Sequence, residues 1–174
     1  MSAPSGPSAG NGSAPVYGNV SRETLKSTKG IDLLQGMIDG RYPAPPIAGL
    51  MDFGLTELAP GRAVFAGRPG KQHYNPSGTV HGGFAATLLD SAMGCAVHSL
   101  LKPGQAYTTV DMTINFVRPV FANTGRLKCE GKVIHPGSRI ATSEGRVWDQ
   151  NGKLVAHGSE TCFIMAAVPP GTTA

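Results

Sequence analysis

The chain has 174 residues, enough for one domain of ordinary size and too few for two. Apolar residues make up 40% and suffice for a core, but charged residues are only 15%, against an average near ~25% in soluble domains. The surface is therefore finished with Gly, Ser, Thr and Pro or partly covered in an oligomer. The net charge of +4 comes from basic residues spread singly, such as Lys71, Arg118, Lys128, Lys132, Arg139 and Arg146. No basic run or aromatic interleaving is present, which argues against a nucleic-acid partner and leaves small anionic molecules open.

Residues 1–18 are rich in Ser, Gly, Pro and Ala and are expected to form a disordered tail, as is the closing "AAVPPGTTA". The first stretch lacks the apolar core of a secretory signal, and no apolar run approaches the ~18 residues needed to span a bilayer. A membrane partner is not expected. Cys95, Cys129 and Cys162 make neither a C-x-x-C motif nor a Cys/His cluster. They read as reduced, mostly buried thiols of a cytoplasmic protein, without a disulfide frame or metal site.

A helical extension is expected over residues 19–44. Ser21 is placed to cap a helix, Ile31, Leu33, Leu34, Met37 and Ile38 supply an apolar face, Gly30 predicts a break, and "YPAPPIAG" predicts the end. The main domain is expected over residues 45–167. "LMDFGLTEL" and "RAVFAGRP" read as two strands around "APG". Residues 82–100 read as a long helix. Strict alternation in "YTTVDMTINFVRPV" puts Val110, Met112, Ile114 and Phe116 on one face of a strand and Thr109, Asp111, Thr113 and Asn115 on the other. Three further strands follow, the last two joined at Asn151-Gly152, a pair suited to the positive φ angles of a tight hairpin turn. The fold class is α+β, one long helix against one antiparallel sheet. The remaining histidines, His73, His98, His135 and His157, have no ligand spacing, and Trp148 and Phe163 read as packing on a sheet face.

The long helix carries the chemistry. Thr87, Asp90, Ser91, Gly94 and His98 recur at spacings of three and four and share one stripe. A stripe facing water usually carries several Lys, Glu or Arg; a single carboxylate among small residues equally fits close approach by a ligand or another chain. Gly82 and Gly83 stand at the helix start, where backbone N–H groups lack intrahelical partners and the helix dipole favours negative charge. Such donors can form an oxyanion site, although the glycines can also serve only to turn the chain. Nine residues separate His81 from Asp90, roughly 13 Å at 1.5 Å per residue. Asp90 therefore cannot touch the His81–Gly82 corner of its own helix, and a two-fold dimer with antiparallel helices could bring it to the partner's Gly82.

"N-P-x-G-x-V-H-G-G", then "ATLLDSAMG" and "TTVDMTINFVRPV", closely resemble the hotdog-fold thioesterases of the PaaI or acyl-CoA thioesterase 13 type over roughly residues 45–165. The resemblance implies a hotdog fold, a long helix wrapped by an antiparallel sheet. It also implies an acyl-CoA substrate, no cofactor, and a site between two subunits of a homodimer or homotetramer. Carried over, the Gly82 N–H polarises the thioester carbonyl, with Gly83 beside it. Asn75 positions that carbonyl or a water, and His81 helps fix the loop. Asp90 from the other subunit is general base or nucleophile, and Thr109 orients the attacking water. Arg118 and Arg139 are candidates for the CoA phosphates. A non-catalytic acyl-CoA-binding hotdog module and a hotdog hydratase or dehydratase are the other readings. The resemblance says nothing of residues 1–40.

Overall fold

The structure, a computed structural model, describes residues 15–167. Ser21 accepts the Thr24 N–H and opens α1 (Arg22–Ser27); α2 (Gly30–Ile38) follows after a break. The break has a packing reason. Gly30 meets the His98 carbonyl so closely that a Cβ there would collide with it, and its N–H donates to the Leu101 carbonyl at 3.0 Å. The proline run expected only to end this helix also starts α3 (Pro46–Met51), because proline in a first helical turn sacrifices no hydrogen bond. Most of the expected tail, residues 1–14, lies outside the described residues, as do residues 168–174. Its last residues are not a free tail: Tyr17 forms a parallel bridge with Ala44.

The strands are β1 (Phe53–Ala59), β2 (Arg62–Gly67), β3 (Gln105–Phe116), β4 (Leu127–Pro136), β5 (Ile140–Trp148) and β6 (Leu154–Ala166). They form one antiparallel sheet in the order β1-β2-β4-β5-β6-β3. The long helix α4 (Gly82–His98) touches all six. Phe84, Leu88, Leu89, Ala92 and Met93 bury its inner face against Phe65, Leu127, Cys129, Val147 and Ala156. Each large apolar side chain so buried contributes on the order of 1.5–3 kcal/mol. The sheet closes tightly because glycine stands where the helix crosses. A Cβ on Gly145 would lie 2.9 Å from both Leu89 and Met93, and one on Gly131 would strike the Ala92 backbone.

Two local differences from the alternation pattern matter. A β-bulge between Thr109 and Asp111 shifts the register, leaving Val110 57% exposed while Thr109 points to α4 with Met112 and Ile114. An extra bulged residue resets which side chains face the core. The β5–β6 hairpin lies where expected, but only Gly152 takes a positive φ, 76°, and Asp149 accepts the N–H groups of Asn151 and Lys153. The Asp149 side chain thus reinforces a loop that backbone bonds from Asp149 N–H to the Lys153 carbonyl and from Gly152 N–H to the Asp149 carbonyl also close.

Candidate active site

Residues 75–79 form a loop that Asn75 ties to itself. Its Oδ1 accepts from the Ser77 and Thr79 N–H groups at 3.0 and 3.3 Å, and its Nδ2 donates to Thr79 Oγ1 at 2.9 Å. Gly78, at φ 78°, supplies the left-handed turn residue. An amide nitrogen has two hydrogens, so one remains for a ligand.

His81 caps α4. Its Nδ1 accepts the Gly83 N–H at 2.8 Å, which assigns the ring proton of the neutral form to Nε2. The Gly83 donor is thereby occupied, whereas no acceptor among the described residues takes the Gly82 N–H. The Phe116 ring lies over Gly82, 3.3 Å from where a Cβ would stand. Asn75, His81, Gly82, Phe116 and Arg118 line one cleft of about 340 Å³ at the start of the helix. Arg118 donates from Nε to the Leu154 carbonyl at 3.3 Å and is exposed. Four of the residues singled out in the sequence thus meet, and Gly83 adjoins them. Arg139 does not line this cleft; its guanidinium lies 6.0 Å from the centre of the Phe163 ring.

Asp90 and Thr109 meet elsewhere. Thr109 Oγ1 lies 2.9 Å from Asp90 Oδ1 and 2.8 Å from Glu160 Oε1. Glu160, 1% exposed on β6, also accepts from the Cys162 thiol at 3.0 Å. Burial, reinforced by the Asp90 charge, pushes the Glu160 carboxyl up to about 7, with the Cys162 thiol pulling it the other way. Sequence reasoning missed Glu160, although period two places it on the inward face of β6 with Ala156 and Cys162. It missed the position of Phe116 over Gly82 as well.

The helix stripe divides in two. Gly94 is pressed by the Tyr107 hydroxyl, and the His98 ring stands edge-on to Tyr107 at 5.7 Å, so the chain itself covers that half. Burial drives the His98 imidazole down to about 4, keeping it neutral. Thr87, Asp90 and Ser91 remain half-buried. Beside Cys95 a mostly apolar chamber of about 310 Å³ lies between α2, α3, β1 and α4, bounded by Leu34, Met37, Ala48, Phe53 and Phe65, with Arg126 also at its wall. The N-terminal extension builds much of this chamber.

The thioesterase superfamily pattern matches residues 77–156. The chain is 32% identical over 109 residues to human acyl-coenzyme A thioesterase 13, covering 62% of this chain and 76% of that one. It is 40% identical over 74 residues to a putative esterase of Halobacterium salinarum, a match spanning 41% of this chain and 47% of the archaeal protein. The structure of PaaI from the phenylacetic acid degradation operon of E. coli superimposes with a TM-score of 0.68 at 25% identity, over 81% of this chain and 96% of that one. The chain belongs to the thioesterase superfamily. Within it, the fold and sequence are those of a hotdog thioester hydrolase of the PaaI and acyl-CoA thioesterase 13 type. No helix among the described residues is long and apolar enough to cross a membrane.

Proposed function

We propose that the protein hydrolyses an acyl-CoA thioester to the free acid and CoA at a site shared between two subunits. One observation carries the reading: the cleft with the free Gly82 N–H and the held Asp90 carboxylate lie on one helix but do not meet within the chain. β3 is an edge strand of twelve residues, and unpaired strand edges are templates for pairing. Within a chain, Phe116 covers Gly82 and Thr109 holds Asp90. Antiparallel two-fold pairing of β3 with its copy, centred between Met112 and Thr113, sets Thr109 opposite Phe116 of the partner subunit. Asp90 then approaches the partner subunit's Gly82, completing two identical sites.

At each site the Gly82 N–H receives the thioester oxygen as negative charge develops on it; losing such a donor elsewhere costs about 3 kcal/mol. Asp90 takes a proton from water, the resulting hydroxide bonds to the carbonyl carbon, and the carbon–sulfur electron pair leaves with CoA thiolate, which is then protonated. The same placement serves direct attack by Asp90. Single turnover in heavy-oxygen water separates the two, since label enters the Asp90 carboxylate only when that group is the nucleophile. Asn75 keeps one N–H for the carbonyl or water, His81 fixes the loop through Gly83, and Arg118 meets a CoA phosphate. The chamber beneath α2 receives the acyl group; at the ~30 Å³ that a water occupies in the liquid, it holds about ten non-hydrogen atoms.

The test is free-thiol release from a panel of aromatic and short-, medium- and long-chain acyl-CoAs, with Asp90→Asn alongside. We expect hydrolysis that falls at least about a hundredfold in the variant without loss of the fold. Near-normal turnover by Asp90→Asn removes the role assigned to Asp90. Silence across the panel, with CoA esters still raising the melting temperature, identifies a binding module instead.

A further inference from the structure

Thr109 has one hydroxyl proton and two carboxyl neighbours, Asp90 Oδ1 at 2.9 Å and Glu160 Oε1 at 2.8 Å. A hydroxyl donates to one acceptor at a time. The second contact is a hydrogen bond only when that carboxyl carries its own proton and donates to the Thr109 oxygen. With both carboxylates ionised, two acceptors face each other with no hydrogen between them.

Surroundings decide which carboxyl is protonated. Glu160 is 1% exposed, has no ion pair among those formed by the described residues, and leaves Oε2 without a hydrogen-bond partner. Its neighbours across the ladder are Met112 and Ser143, and the buried Ser143 hydroxyl also makes no bond. An ionised carboxylate with an orphaned oxygen is badly solvated there, and a neutral carboxyl far less so. Asp90 is half-buried on the open part of the helix stripe.

We propose that Glu160 is held protonated, donates to the Thr109 oxygen, and thereby commits the Thr109 proton to Asp90. Glu160 is a positioning residue for the Asp90 carboxylate. One Asp90 oxygen is pinned and the other is left to face the reacting groups. The proposal rests on the reading of Asp90 as the reacting carboxylate, and it changes the task of Thr109: its hydroxyl orients the carboxylate rather than the water.

The titratable groups around Glu160 are Asp90 and Cys95 on α4, Tyr107 on β3 and Cys162 on its own strand. Burial pushes both thiols and the phenol upward. Burial, the largest influence, pushes the Glu160 carboxyl up to about 7. Above it Glu160 ionises, its donated bond is lost, and the Thr109 proton is contested by two carboxylates.

The test pairs infrared spectra with kinetics. At about pH 5.5 the difference spectrum of wild type against Glu160→Gln should contain the carbonyl band of a protonated carboxylic acid, lost on titration to about pH 9. Glu160→Gln, whose amide still donates to Thr109, should keep kcat within about threefold at low pH and lose the decline above pH 7. Glu160→Leu, without a donor, should lower kcat about tenfold with KM little changed. Absence of the band at about pH 5.5, or a Glu160→Leu enzyme with wild-type kcat and pH profile, overturns the proposal. The infrared arm needs no turnover. An active Asp90→Asn enzyme therefore defeats the reading of Asp90 separately, and Glu160→Gln keeps the test open where Glu160→Leu fails to fold.

Discussion

A carboxyl group buried as deeply as Glu160 couples folding to pH. Its value is near 4.5 in the unfolded chain and about 7 in the folded one. Below pH 4.5 both states hold the proton and Glu160 contributes no pH dependence. As pH rises from there to 7, the unfolded chain ionises first, so the folded state loses ground by about 3 kcal/mol in total and then levels off. Urea midpoints measured at about pH 5 and pH 8 should therefore fall with pH, and Glu160→Gln should flatten that fall; an unchanged slope contradicts the assignment. Asp90 and Gly82 were legible because glycines at a helix start and a lone carboxylate on a small-residue stripe are local patterns, whereas Asn75 and His81 were singled out through the motif's resemblance to the family. The partnership of Thr109, Asp90 and Glu160 was not, since it depends on a bulge at Val110 that strict alternation conceals, and on a strand pairing far along the chain.

At the scale of elements, α4 and the six strands follow from periodicity and turn residues, and their expected order is the observed one. What periodicity could not give was α3 or the packing of the extension. Gly30 against His98, Tyr17 against Ala44, and Leu34 and Cys95 on the wall of one chamber bring together segments whose proximity no local pattern encodes. The placement of α2 has a functional consequence in the proposed reaction. Met37→Trp should fill much of the chamber beneath α2. We expect kcat/KM to fall about tenfold or more for acyl chains of roughly eight carbons, with acetyl-CoA little affected. Equal losses for short and long chains would show that the acyl group does not enter there.

At the scale of the whole molecule, the unpaired edge of β3 and the apolar side chains beside it, Val110 at 57% and Phe116 at 56% exposure, are surfaces that a second copy would cover. The low charged fraction of the sequence pointed to an oligomer in the same way. In the proposed reaction, the fold of one chain holds each half of the site and a second copy completes it.

The central claim is that Asp90 and Asn75 of different subunits serve the same active site. Asp90→Asn and Asn75→Ala proteins, each inactive alone, are unfolded and refolded together at equal ratio, and heterodimers are verified through distinct affinity tags. If the two residues act across the interface, each heterodimer contains one site with both intact, and a random mixture should recover about a quarter of wild-type hydrolysis. If both residues of a site come from one chain, every site in the heterodimer is damaged, and verified heterodimers without activity would contradict the account.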